Sequence, residues 1–427
     1  MRRRLFVTAA VIAALLLPKD ASLAISAAQP PNSAEMPELS GRGPMAIGTR
    51  HVEFKNANRV IGLRFWYPAK KHYKTSGITY RHTRSVSGQQ PLQIHERGFA
   101  VLGAKPDQSS KFPLVLISHG YGGWAEHMSQ LGEALSSHGY VVASIDHRDQ
   151  PFHDGASFAA SFGSVLLNRA ADQQSALREI CHGQLNANPV VPQPDCNNIA
   201  IIGFSMGGYG ALTTAGIGLD PQAPAYLQMP PAMRAALPEV DLQLAQSIKA
   251  VVAMAPWGAQ PGATVWAEKD IAAFATPLLL IGGDQDDVVN FREGISRLFA
   301  GAQSSDRYML VYREAAHNIA GNPVALPSNA DFSSIEYVSD PVWRKERIEA
   351  VNQHFIRAFL DIWLKNNRAS RAYLNVPTRI SNDGQWPSTF GQQWGGTVAG
   401  DKQPGYWRGF QRRWARGLEL HHKSVGE

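Results

Sequence analysis

The chain has little cysteine, little charge and no long apolar run, and each shortage removes a class of protein. Two cysteines in 427 residues, Cys181 and Cys196, have no paired histidines near them and do not make the ligand set of a structural metal site. Charged residues amount to 18% and hydrophobic ones to 44%, the balance of a globular chain and not of a disordered one. The formal net charge is +6, of which Arg2, Arg3, Arg4 and Lys19 less Asp20 supply +3, leaving +3 for the remainder. So small an excess does not argue for nucleic-acid binding. The apolar run Val7 to Leu17 is too short to anchor a protein across a bilayer. No internal repeat is evident.

What stands at the N-terminus has the form of an export signal. Met1-Arg-Arg-Arg-Leu-Phe6 is a basic opening, Val7 to Leu17 an apolar core, and Ser22-Leu-Ala24 or Ser26-Ala-Ala28 a small-residue cleavage site. Residues 1–28 therefore read as a cleaved signal peptide, and the protein is expected to be exported, to the periplasm or beyond the cell. The pair Arg3-Arg4 leaves the general and twin-arginine routes both open. No cysteine follows the apolar core, which argues against lipid attachment there. In an oxidising compartment Cys181 and Cys196, 15 positions apart, are expected to form a disulfide, closing a loop for about 3 kcal/mol.

Residues 29–43, polar and Pro-rich, read as a linker. Gly48–Phe54 and Val60–Tyr67 are β-like and suggest an edge hairpin; 70–110 has no sustained period and reads as an insertion. The continuous apolar runs Pro113–Ser118, Tyr140–Ile145, Ile199–Ile202, Ala250–Trp257, Pro277–Gly283 and Arg307–Tyr312 have the pattern of strands buried on both faces. Helices are expected between them, at about 126–137 and 162–181, and again over Val342–Lys365, whose apolar residues fall near helical spacing. Alternating strands and helices imply a mostly parallel central sheet with helices on both faces, binding ligands beyond the carboxyl ends of its strands. The catalytic domain is expected at 44–365, with insertions at about 70–110 and 218–246 that leave small pieces over the site. Residues 366–427 form a C-terminal extension expected to pack back on the domain.

The chemistry concentrates after the strands. Gly203-Phe-Ser205-Met-Gly207 is G-x-S-x-G between a buried strand and a helix, a turn that lifts a serine hydroxyl out of a sheet. Such a hydroxyl needs a general base, and the base needs a carboxylate to orient it. The order serine, acid, histidine follows in the chain: Gly283-Asp284-Gln-Asp286-Asp287-Val-Val289 after one strand, Glu314-Ala-Ala-His317 after the next. Asp284, Asp286 and Asp287 compete for the acid; Asp286 is preferred because Gly-x-x-Asp-x-Val-Val recurs as the acid loop of this kind of sheet. Asp284 is placed to bond turn amides and Asp287 to face solvent. Of the other histidines, His354 lies in an amphipathic helix as a packing or surface residue, and His147 and His153 follow a strand, either lining the site or solvated. The tetrahedral intermediate of acyl transfer requires two oxyanion donors, expected at the amides of Met206 and of Tyr121 in His119-Gly-Tyr-Gly-Gly123. Trp124 and Trp257 also follow strands, as substrate-binding walls or as core.

Ser118-His-Gly-Tyr-Gly-Gly123, Gly139-Tyr-Val-Val-Ala-Ser-Ile-Asp-His-Arg-Asp149, Gly203-Phe-Ser-Met-Gly-Gly-Tyr209 and the Asp286/His317 pair together resemble the dienelactone hydrolase-like branch of the α/β-hydrolases. Within that branch the likeness is to plasma-type platelet-activating-factor acetylhydrolases and their bacterial secreted relatives, over about Gly48 to Lys365. The segment from Trp407 to Leu420 is also similar to the tails of bacterial members. One departure counts: dienelactone hydrolases use a cysteine nucleophile where this chain has Ser205, which favours ordinary carboxylic esters. The resemblance implies the α/β-hydrolase fold and a serine carboxylic-ester hydrolase working through an acyl-enzyme, on short-chain acyl esters, without cofactor or metal. A polyester hydrolase or an amidase shares every motif and stays open, as does a non-catalytic binding module on the same fold. The acyl and alcohol groups of the substrate and the oligomeric state are not written in the motifs.

Overall fold

A computed structural model describes residues 35–57, 59–71, 77–84, 92–187, 191–227, 229–326, 330–387 and 398–427. The signal peptide expected at 1–28 lies outside the described residues, as does the first part of the linker, 29–34. The strands are β1 (Ile47–Asn56), β2 (Arg59–Pro68), β3 (Thr79–Arg84), β4 (Leu92–Arg97), β5 (Val101–Leu102), β6 (Phe112–Ser118), β7 (Val141–Asp146), β8 (Pro194–Phe204), β9 (Ile248–Met254), β10 (Leu278–Gly283), β11 (Arg307–Tyr312) and β12 (Leu418–Lys423). Among the described residues ten of them form one sheet, in the order β12-β11-β10-β9-β8-β6-β7-β2-β1-β5, and β3 and β4 pair separately. The run from β7 through β11 is parallel, while β2 joins β7 and β12 joins β11 antiparallel. The apolar runs read as two-faced strands are just that: Leu114 to Ile117, Ile199 to Ile202 and Leu278 to Ile281 are at most 1% exposed.

Five helices frame the site and its supports: α1 (Ser129–Ser137), α2 (Gly155–His182), α3 (Met206–Thr214), α4 (Phe332–Val338) and α5 (Lys345–Lys365). Helix α2 starts seven residues before the run read from sequence, because Asp154 and Ser157 close a reciprocal capping box. Helix α5 starts at Lys345; Val342, read as its first apolar contact, is 62% exposed. The disulfide Cys181–Cys196 ties the end of α2 to β8.

Three elements depart from the sequence reading. No strand is read from the sequence beyond Arg307–Tyr312, yet β12 from the C-terminal segment pairs with it residue for residue. In the same segment Trp407 and Phe410 are buried against Phe355 of α5. The insertion at 70–110 contains the β3–β4 hairpin. The insertion at 218–246 lines an open groove with Leu219, Pro238 and Leu242, and it shares no lining residue with the cleft at Ser205. The piece that overhangs that cleft is α4 and the chain after it, started by Asp331, whose side chain accepts the Ser334 amide.

Candidate active site

Ser205 sits between the last residue of β8 and the first of α3 with φ 52°, a left-handed conformation costing about 1–3 kcal/mol for a residue with a side chain. The surroundings hold it there. Its amide donates to the Met254 carbonyl at 2.9 Å, and its own carbonyl accepts from Tyr209 and Trp257 at 3.1 and 3.2 Å. The flanking glycines are obligatory in the steric sense. A Cβ on Gly203 would stand 2.2 Å from the Gly207 carbonyl oxygen, and one on Gly207 2.0 Å from that of Ser118, so strand, turn and helix could not pack this closely.

The other two residues come from neighbouring strand ends. His317 follows β11 and Asp286 follows β10. Folding brings His317 Nε2 to 3.1 Å from Ser205 Oγ and His317 Nδ1 to 2.8 Å from Asp286 Oδ2. The Asp286 side chain is fully enclosed, and its other oxygen accepts the Val288 and Val289 amides at 3.0 and 3.1 Å. A carboxylate so placed demands the proton on Nδ1, which leaves the Nε2 lone pair facing the serine hydroxyl. The three aspartates take different places. Asp284 Oδ1 accepts the Glu314 amide at 2.6 Å, stitching two loops together, and Asp287 is exposed on the cleft.

The cleft has a volume of about 760 Å³ and is lined by Gly120, Tyr121, Phe204, Ser205 and His317, with Phe332, Ile335 and Tyr337 on the overhanging piece. Much of its rim is bare hydrocarbon: Phe332 is 74% exposed and Val288 54%. Tyr121 belongs to an aromatic cluster at its edge, stacked on Phe152 with centroids 5.8 Å apart. The Tyr121 amide donates to no described residue, and Met206 opens α3, where amides lack intrahelical acceptors. Gly120 approaches the nucleophile closely; a Cβ there would be 3.3 Å from Ser205 Cβ.

Several expected residues lie elsewhere. Trp124 is buried, stacked between His82 and His127 at 4.2 and 4.6 Å, and Trp257 packs edge-on against Phe162 and Tyr209; neither lines the cleft. His153 is exposed beside Asp154. His147 is neither solvated nor at the cleft: it is buried between Ser118 and Asp172. His354 is a packing residue whose Nδ1 accepts the Leu39 amide at 3.2 Å. Sequence reasoning missed His127, which lines the cleft floor against Phe204 and is pushed down to about 3 by burial and by Lys345. It also missed Lys345, whose ammonium donates to the Asn318 carbonyl at 3.0 Å and to that of Ala320, bracing the loop of His317. Among the described residues no group of three or more His, Cys, Asp or Glu is placed to hold a metal ion.

Comparison with known proteins adds kinship. Overlaid on the solved structure of a ferulic acid esterase from Streptomyces cinnamoneus, the fold gives a TM-score of 0.52 over 76% of this chain and 92% of that one, at 19% identity. That likeness, with the strand order of the sheet, decides the fold. The chain has the α/β-hydrolase fold. Residues 99–164 of this chain match the family of platelet-activating factor acetylhydrolase, isoform II. It is 25% identical to cutinase est1 of Thermobifida alba over 56% of its own length and 69% of that protein. It is 28% identical to the platelet-activating factor acetylhydrolase of Cavia porcellus over 42% of its length, a match that spans about half (54%) of that relative. In this company the hydrolase is a carboxylic ester hydrolase. No helix among its described residues is long and apolar enough to cross a membrane.

Proposed function

We propose that this protein is an exported serine ester hydrolase in which Ser205 is the nucleophile, His317 the general base and acid, and Asp286 the orienting carboxylate. The observation that carries the reading is the hydrogen-bonded row Ser205–His317–Asp286 opening on an apolar cleft. His317 Nε2 takes the hydroxyl proton as Oγ attacks the ester carbonyl. The resulting alkoxide is held by the Tyr121 and Met206 amides. Collapse expels the alcohol, which receives the proton from His317, and leaves an acyl-serine. Water, deprotonated by the same imidazole, attacks the acyl carbon and releases the acid and Ser205. No cofactor enters this sequence. Short-chain acyl esters are the proposed substrates, and 44–365, with 366–427 packed on it, the catalytic unit. Export is supported by the N-terminal pattern and by a disulfide suited to an oxidising compartment.

The test is labelling by a fluorophosphonate probe. The wild-type protein is expected to be labelled at a single serine and Ser205→Ala not at all; equal labelling of both would sink the assignment, and no labelling of the wild type would favour a non-catalytic module. A second reading, hydrolysis of polymeric esters, is favoured by the exposed Phe332, Val288 and Ile335 on the cleft rim. Rates on soluble short-chain esters, amides and an insoluble polyester separate these two readings from each other and from an amidase.

A further inference from the structure

Behind the loop His119–Gly123 lies a buried ion pair that the serine mechanism does not use. Arg169, in the middle of α2, is 1% exposed, and its Nη2 donates to Asp149 Oδ2 at 2.7 Å; the Asp149 side chain is 7% exposed. A buried pair of this kind contributes little net stability, because desolvation consumes most of the Coulomb attraction. Arg169 Nε and Nη1 make no hydrogen bond in the structure, which makes the pair costlier still. Room is made for it nonetheless. A Cβ on Gly210, in the helix of the nucleophile, would stand 2.9 Å from Arg169 Cγ.

The pair acts on both sides of Tyr121. Asp149 Oδ2 accepts the Gly122 amide at 2.9 Å, and Arg169 Nη2 reaches the Gly120 carbonyl at 3.5 Å. That carbonyl also accepts from His119 Nδ1 at 2.6 Å and from the Gly123 amide at 3.2 Å. The Gly120 carbonyl and the Tyr121 amide belong to one planar peptide, and among the described residues no peptide is cis. Turning the carbonyl toward Arg169 therefore turns the N–H the opposite way, with Gly120, Tyr121 and Ser205 all on the cleft wall. A cation at the carbonyl end also polarises the peptide and strengthens its N–H as a donor.

We infer that Arg169 and Asp149 are positioning residues for the oxyanion-binding loop, aiming and polarising the Tyr121 amide. The inference rests on the assignment of that amide as an oxyanion donor in the proposed function. Neither residue touches substrate. Their effect is confined to the charge that develops in the transition state, so it falls on kcat and spares KM.

The experiment uses Arg169→Met, Asp149→Asn and the double variant, with folding checked by thermal melting. Activity on a short-chain nitrophenyl ester and inhibition by a trifluoromethyl ketone, which forms a tetrahedral adduct with the serine, are the readouts. Arg169→Met is expected to lower kcat by about 30- to 100-fold. KM should stay within about threefold, ketone affinity should weaken in parallel with kcat, and the midpoint of the pH–rate profile should not move. Asp149→Asn, which keeps an acceptor for the Gly122 amide, should lose about tenfold, and the double variant no more than Arg169→Met alone. A kcat within threefold of wild type in the folded variants, or a loss carried by KM, overturns the inference. If Arg169→Met does not fold, Asp149→Asn decides on the same criteria. Ser205→Ala, run alongside, keeps the two claims apart: if that variant retains activity, the serine mechanism fails; if it is dead and the clamp variants are unimpaired, only the clamp fails.

Discussion

Two rows of serine, histidine and aspartate run through this molecule, and their hydrogen bonds are nearly the same. In one, Ser205 Oγ, His317 and Asp286 are linked at 3.1 and 2.8 Å. In the other, Ser118 Oγ lies 2.8 Å from His147 Nε2, and His147 Nδ1 2.9 Å from Asp172 Oδ2. The first opens on a cleft. The second is sealed: Ser118, His147 and Asp172 are at most 1% exposed, and burial with the neighbouring Arg169 holds the His147 imidazole well below its ordinary value. Ser118 ends a regular strand with its hydroxyl turned into the protein, whereas the strained elbow at Ser205 turns its hydroxyl out, beside amides without acceptors. Residue types and spacing do not separate the rows. Access does, together with donors placed for a developing charge.

The comparison can be broken most directly at the serines. Ser205→Ala is expected to lower kcat/KM by about four orders of magnitude or more with an unchanged melting temperature. Ser118→Ala should stay within about threefold in rate and lose about 1–2 kcal/mol of stability, having stranded a buried imidazole nitrogen. Equal rates for the two variants would mean that the outer row is no more a catalyst than the inner one.

The aspartates come next. Asp286→Asn should cost about three orders of magnitude in kcat, since an amide no longer enforces the required tautomer. Asp172→Asn and Asp284→Asn should each cost less than about tenfold. A result in which Asp284→Asn is the more damaging would move the acid to that residue.

A smaller effect concerns the staple between the rows, because the disulfide joins α2, which carries Asp172, to β8, which leads to Ser205. Cys181→Ala with Cys196→Ala should reduce stability in denaturant by about 3 kcal/mol and leave the rate at 25 °C unchanged. A rate loss at full folding would mean that the bond also sets the geometry of the elbow.

The gentlest perturbation is acid. His127 and His354 are pushed down to about 3 and His138 to about 4, each first by burial. Their folded values lie below the unfolded one, so they contribute stability above about pH 6.5 that is lost as pH falls through 4 and 3. Glu96 and Glu349, raised to about 7 chiefly by burial, work the other way. They favour the fold below about pH 4.5 and cease to as pH rises through 7. Between pH 7 and 5 the two sets oppose each other, and below about 4.5 only the histidine loss remains. Because His119 and His147 are lowered as well, the histidines outnumber the two glutamates; denaturant midpoints measured from pH 7 to 3.5 should fall gently at first and more steeply below about pH 4.5, and His354→Phe should soften the fall. A decline with no steepening below about pH 4.5 would show that the buried glutamates do not take up protons in the fold.

Much of the central sheet was legible because a strand buried on both faces must be apolar throughout, and β6 to β11 carry that signature locally. Less was legible at the margins. β12 reads Leu-Glu-Leu-His-His-Lys, an alternation too short to mark, and only pairing with Arg307–Tyr312 more than a hundred positions away makes it a strand. α4 was not read from the sequence at all; its one local mark is Asp331, which the structure shows as its N-cap. Trp124 follows a strand as a cleft wall would, yet the β3–β4 hairpin supplies His82 to cover it, and no local pattern indicates where an insertion will come to rest.

The sequence by itself determined the elbow and the order of Ser205, Asp286 and His317, because backbone strain, strand burial and turn chemistry are local. It also nominated Asp286 over its neighbours. Only the tertiary structure decided that Asp284 bonds a loop amide while Asp286 faces His317, that Ser118 and His147 form a sealed copy of the same row, and that α4 overhangs the cleft where the 218–246 insertion was expected. Those outcomes depend on which surfaces meet across the folded chain and exclude water from one another, and nothing in a short stretch of sequence encodes that.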